Sequence, residues 1–330
     1  MVNCWCFSGG GSTENQIHEI TDYGDRDAVL YPQLETVGFG SGLEGFGSVC
    51  SLPGTKGLNQ DSALLHPGFG IGGEASLCGV FDGHGENGHL VSKIVRNELP
   101  AILSGNMNTW PEKQWKEICH DTFSTMDKRI LKRKKTLDCS SSGTTAVLAL
   151  RRGEELMIAN LGDSRAVMVM AGTNENEDAR ALQLTNDLKP SVPSEAERIR
   201  KSNGRVLALE AEPNVHRVWL PFKDYPGLAM SRALGDFVLK NYGVIQFPEV
   251  FTHRITSDDR FLVLASDGVW DVLSNEEVAT VVVAAESEKV AANAVAKAAA
   301  EAWKMKFPAA KVDDISAVCL SLNQKQSTSM

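Results

Sequence analysis

Apolar residues along this chain fall into short runs and alternating stretches separated by glycine and polar turns. Such runs near 46–51, 62–66, 76–81, 144–150, 155–160, 165–170, 215–220, 260–266 and 315–321 read as strands. Helical stretches lie between them. Trp115, Ile118, Cys119, Thr122, Met126 and Ile130 recur at spacings of three and four, which gives one buried helical stripe. The segment 275–306 is rich in Ala and Val, carries Glu and Lys on its other face, and reads as two helices broken near Ser287. Residues 191–205 read as a helix opening at Pro193, with Glu195, Glu197 and Arg198 on its surface. Before about Phe46 the pattern fades. Residues 1–43 read as a flexible lead-in containing two glycine-rich segments, 44–323 as one domain and 324–330 as a short tail. No internal repeat is present.

A length of 330 residues with 42% hydrophobic and 23% charged positions is enough for a sizeable core of a globular protein. The net charge of −9 argues against a nucleic-acid binder, which needs a basic face. It leaves room for a phosphorylated partner if bound metals reverse the sign locally. The seven cysteines are odd in number and irregularly spaced, which points to free thiols in a reducing compartment, cytoplasmic or nuclear. No apolar run reaches transmembrane length. Val2 excludes N-myristoylation. Cys4 and Cys6 are either acylation sites or part of a frayed tail. The basic run Lys128–Lys135 is either a nuclear-import signal or a solvated helix end with cations beside the C-terminal dipole.

The chemistry gathers at strand ends. The apolar run before Asp82 delivers that carboxylate to the end of a strand, followed by Gly83 and His84. Glycine permits close backbone approach to an ion or ligand, and histidine moves protons near neutral pH. Asp267 ends the run 261–266, Asp313 and Asp314 precede the alternating run 315–320, and Asp61 precedes another apolar run. Any one of these could be a turn or cap residue. Together they suggest one rim of a sheet, where clustered carboxylates call for a hard divalent cation.

Taken in order, GVFDGHG (79–85), SGTTA (142–146), NLGDSR (160–165), AMSRALGD (229–236), LASDGVWD (264–271) and DDIS (313–316) resemble the metal-dependent type 2C (PPM) family of serine/threonine protein phosphatases, in a plant-like dialect. The similarity runs from about Phe46 to Leu322. It implies an α+β fold: a β-sandwich of two antiparallel sheets flanked by pairs of α-helices. It also implies two Mn(II) or Mg(II) ions bridged by Asp82, with the Gly83 carbonyl and Asp61 on one side and Asp267 and Asp313 on the other. Asp163 and Asp271 match positions linked to a weaker third metal. The implied reaction is direct attack on phosphoserine or phosphothreonine by a water that the metal pair activates, with His84 protonating the leaving oxygen. The implied partners are phosphorylated proteins, kinases being one candidate class, and the enzyme is expected to be a monomer.

Three positions depart from the family pattern. Lys56 stands in place of a phosphate-clamping Arg and loses the bidentate fork. Gln60 replaces a Glu beside Asp61, and Leu188 replaces a His. These departures favour a second reading, a phosphatase-like binding protein with weak or no activity. The retained aspartates favour the enzyme. A metal-dependent nuclease would need a basic groove that the acidic balance does not suggest. Trp219 is either beside the site on the family's variable flap or part of a core.

Overall fold

Strands that are apolar at every position need cover on both faces, and the chain supplies it with four layers. The computed structural model describes residues 27–30, 46–107, 114–172 and 179–322. A six-stranded sheet runs in the order Ala28–Leu30, Ser62–Phe69, Ala75–Phe81, Ala146–Arg152, Glu155–Leu161, Glu249–Arg254. A five-stranded antiparallel sheet runs in the order Arg180–Gln183, Arg165–Met170, Asp259–Ala265, Ile315–Ser321, Gly47–Leu52.

Alternation along each strand divides the core. Ala63, Leu65, Cys78, Val80, Val147 and Ala149 of the first sheet meet Ala166, Met168, Leu262, Leu264, Val318 and Leu320 of the second. The opposite face of the first sheet, through Leu64, Leu77, Phe81 and Leu148, packs on helices Gly88–Met107 and Trp115–Lys132. The outer face of the second, through Cys50, Val167, Val263 and Cys319, packs on Asn275–Ala284 and Ala291–Lys306. Those two helices are separated across Ser287, as the sequence predicts.

Two expectations need correction. Ala28–Leu30 falls within the presumed lead-in, yet it pairs in parallel with Ala63–Leu65, so the first sheet is not wholly antiparallel. Val29 is buried there. Asp27 anchors the strand by its carbonyl to the Ala63 N–H and by its carboxylate to Asn59 and Lys93. Glu195 is also not a surface residue: it is 2% exposed. Its carboxylate accepts from Ser231, Arg232 and Arg198, and although burial works the other way, these donors hold it down at about 2. Cys4, Cys6, the glycine segments of the lead-in and the tail 324–330 lie outside the described residues.

A separate three-stranded sheet, Arg205–Leu209, Glu212–Trp219 and Pro226–Leu228, stands beside the sandwich. It packs Val206, Val218 and Leu228 against Ala196 and Ile199 of helix Pro193–Lys201. The basic run closes the helix Trp115–Lys132: Ile130 is buried, while Arg129 and Arg133 pair with Glu98. No described helix is long and apolar enough to cross a membrane.

Candidate active site

Asp82 follows the strand Ala75–Phe81, and its backbone is fixed from outside that strand. Its N–H donates to Thr145 Oγ1 at 3.0 Å, and its carbonyl accepts from the Thr145 N–H at 2.9 Å and from Thr144 Oγ1 at 3.1 Å. The SGTTA segment therefore holds Asp82 in place. Gly83 is held as tightly: a Cβ there would lie 2.5 Å from the carbonyl oxygens of both Gln60 and Gly88.

A cavity of about 670 Å³ opens at this sheet rim and is lined by Asp82, Gly83, His84, Asp163, Asp267, Asp271 and Asp313, with Lys56, Gln60 and Lys189 among them. Asp61 lies behind the lining, 1% exposed, and accepts from Ser266 Oγ at 2.7 Å. Asp267 opens a single helical turn, Asp267–Trp270, at the end of its strand. Of the adjacent pair near the C-terminus, Asp314 is committed elsewhere. Its carboxylate accepts the Gly54 and Gln60 N–H groups at 2.7 and 2.8 Å, whereas Asp313 accepts from the Asp314 N–H and from Lys56 at the rim.

The electrostatics are those of crowded, buried like charges. Burial first, then Asp267, Asp61 and Asp313, push Asp82 well above the usual carboxylate range. Burial, then Asp163, Asp313 and Asp271, do the same to Asp267. Burial and Asp314 push Asp61 up to about 7, and burial pushes Asp163 up to about 6 against the pull of Lys189. Such groups stay ionised only with cations among them. Lys56 forms an ion pair with Asp313, and Lys189 Nζ stands 3.8 Å from Asp271 Oδ1.

These residues fit a hard divalent metal. The donors are oxygens throughout, and Asp163 Oδ1 is buried without a hydrogen-bond partner. Among the described residues no three His, Cys, Asp or Glu side chains close into a finished cage. The fit therefore rests on charge and donor chemistry.

His84 Nε2 bonds Asp236 Oδ2, and the contact is possible because Gly143 lies between its neighbours without a side chain. A Cβ there would sit 2.2 Å from Asp236 Oδ2 and 2.9 Å from His84 Nε2. Burial opposes a charge on His84, but the Asp236 carboxylate outweighs it and raises the imidazole above its ordinary value. In the sequence Asp236 closes the AMSRALGD motif with nothing to mark its role. The available signal was the motif's terminal Gly-Asp, a pair as common in turns as in sites.

The departures from the family pattern acquire local explanations. Gln60 Nε2 donates to the Gly85 carbonyl at 2.8 Å, a bond that an ionised Glu could not make. Leu188 is 1% exposed; its N–H donates to the Gly162 carbonyl and its own carbonyl accepts from Ser231. Trp219 is 7% exposed, donates Nε1–H to the Leu207 carbonyl and does not line the cavity. It is a packing residue of the small sheet. The described cysteines are all buried, and burial pushes the Cys78 and Cys119 thiols up to about 12, which removes them as nucleophiles.

Comparison with known proteins shows the family. The family model for protein phosphatase 2C matches residues 49–306. The chain is 63% identical over 327 residues to "Probable protein phosphatase 2C 61" of Arabidopsis thaliana, covering 98% of each. It is 48% identical over 335 residues to "Probable protein phosphatase 2C 72" of the same plant, covering 98% of this chain and 99% of the relative. The crystal structure of serine-threonine phosphatase 2C from Toxoplasma gondii superposes with a TM-score of 0.74 at 23% identity. The match covers 84% of this chain and 95% of that one, a likeness of fold.

Proposed function

Since the chain belongs to the protein phosphatase 2C family and is a metal-dependent protein serine/threonine phosphatase acting on phosphoproteins, we propose that its catalytic unit is the cavity lined by Asp82, Asp267, Asp313 and His84. The observation that carries this reading is that three strand ends, remote in sequence, deliver acidic groups and one imidazole to the same space.

In this reading Asp82, the Gly83 carbonyl, Asp267 and Asp313 would hold a pair of Mn(II) or Mg(II) ions, with Asp61 supporting them from behind. When bound, the metals supply positive charge for the phosphoryl oxygens and activate water for in-line attack. Lys56 sits at the rim, 53% exposed, where its ammonium would meet substrate phosphate. His84 gives its proton to the departing serine or threonine oxygen. Asp236 holds the ring through Nε2 and favours its charged form. Lys189, beside Asp163 and Asp271, supplies a cation at the position where resemblance implies a third, weaker metal.

The test is phosphate release from a phosphothreonine peptide. Release is expected with Mn(II) and none in excess chelator. Undiminished release in chelator refutes the assignment.

A further inference from the structure

The mouth of the cavity carries apolar side chains that the reaction does not use. Leu58, two residues beyond Lys56, lines the cavity and is 72% exposed. Val215 lines it from strand Glu212–Trp219 and is 38% exposed.

The apolar surface continues outward from Val215. Leu207 and Leu209 are two apart on the neighbouring strand, so they share a face, and they are 50% and 43% exposed. Leu207 pairs with Arg217, another cavity residue, which puts that face on the cavity's edge. The pairing then slips. Ala208 pairs with His216 but Leu209 pairs with Glu212, so residues 213–215 bulge out of register next to the cavity. Bulges of this kind re-aim side chains beside functional sites. The same sheet buries Val206, Val218 and Leu228 on its other side, so Leu207 and Leu209 are not needed for its own packing. Clustered aliphatic groups left in water mark a contact surface.

We propose that Leu58, Val215, Leu207 and Leu209 form an apolar track that receives a hydrophobic residue of the phosphoprotein close to the phosphorylated serine or threonine. The occupant is substrate because Leu58 and Val215 line the catalytic cavity itself and Leu207 pairs with a third lining residue, Arg217. The inference rests on the phosphatase reading and adds a substrate preference to it.

The test uses the full chain with Mn(II) and phosphothreonine peptides that differ only in carrying Leu or Ser at single positions flanking the phosphoresidue. The wild-type enzyme should favour Leu at one position by about tenfold in kcat/KM. The double variant Leu207→Ser/Leu209→Ser should lose that preference through KM while turning over p-nitrophenyl phosphate, which has no flanking residues, at the wild-type rate. Equal rates for Leu and Ser at every position, or a preference that survives in the double variant, overturns the inference. So does a change in sedimentation with the preference intact, which would make this face a self-association surface. Failure of the wild-type chain to hydrolyse p-nitrophenyl phosphate at all would overturn the phosphatase reading instead.

Discussion

His84 and Asp236, 152 positions apart in the chain, are joined by a 2.6 Å contact between Nε2 and Oδ2. Asp236 is 1% exposed and adopts a φ of +50°, a strained conformation for a residue with a Cβ. Its N–H donates to the Ser142 carbonyl, which fixes it at that angle. The contact holds the ring and favours its charged form. Replacing Asp236 with Asn removes the charge and keeps the shape. The expected result is a fall in kcat of about tenfold to a hundredfold, within the span attributed to general-acid catalysis. The alkaline limb of the pH–rate profile should also move to lower pH, because His84 then gives up its proton earlier. An unchanged limb would separate Asp236 from the proton transfer.

Stability without metal should depend on pH in an unusual direction. Asp61 at about 7 and Asp163 at about 6 bind protons in the folded chain that the unfolded chain has already released. The folded state therefore holds more protons between the ordinary carboxylate range and about pH 7, and stability must fall as pH rises through that window. Melting in chelator should give a lower Tm at pH 7.5 than at pH 5.5. Mn(II) at a hundred times its Kd should restore about 2.7 kcal/mol at the higher pH. A chelated protein that melts higher at pH 7.5 contradicts the buried-carboxylate picture.

The main sandwich was legible because its strands are apolar on both faces, and such runs stand out from any neighbour. The strands 180–183 and 249–254 escaped notice for the opposite reason. Arg180–Gln183 is an exposed edge and Glu249–Arg254 is only partly covered, so neither carries an apolar run. Asp27–Leu30 was missed because its stability comes from pairing with Ala63–Leu65 and from Asn59 and Lys93, none of them local. In the site, the aspartates were visible as strand-end residues. The roles of Asp236, Asp314 and Lys189 were not, since each is defined by a partner far away in sequence.

Glu195 ties the helix Pro193–Lys201 to the loop bearing Ser231 and Arg232. Glu195→Ala leaves two partly buried guanidinium groups without their carboxylate, and breaking such a pair costs about 3–5 kcal/mol. Denaturant unfolding should show a loss of that order. A loss under about 1 kcal/mol would place the network among surface ion pairs.

Lys189 is expected to hold the place of a third cation. Lys189→Met removes the charge beside Asp163 and Asp271 and should raise the number of Mn(II) ions bound at saturation, counted by calorimetry or electron paramagnetic resonance. The same stoichiometry in variant and wild type would show that the ammonium is not what excludes a further ion.

The most direct measurement is an anomalous-scattering map of crystals soaked in Mn(II), for the wild-type chain and for Asp82→Asn. The account predicts peaks in contact with Asp82, Asp267 and Asp313 in the wild type, and their loss in the variant together with phosphatase activity while the fold is kept. Peaks elsewhere, or near-normal turnover by Asp82→Asn, would contradict it.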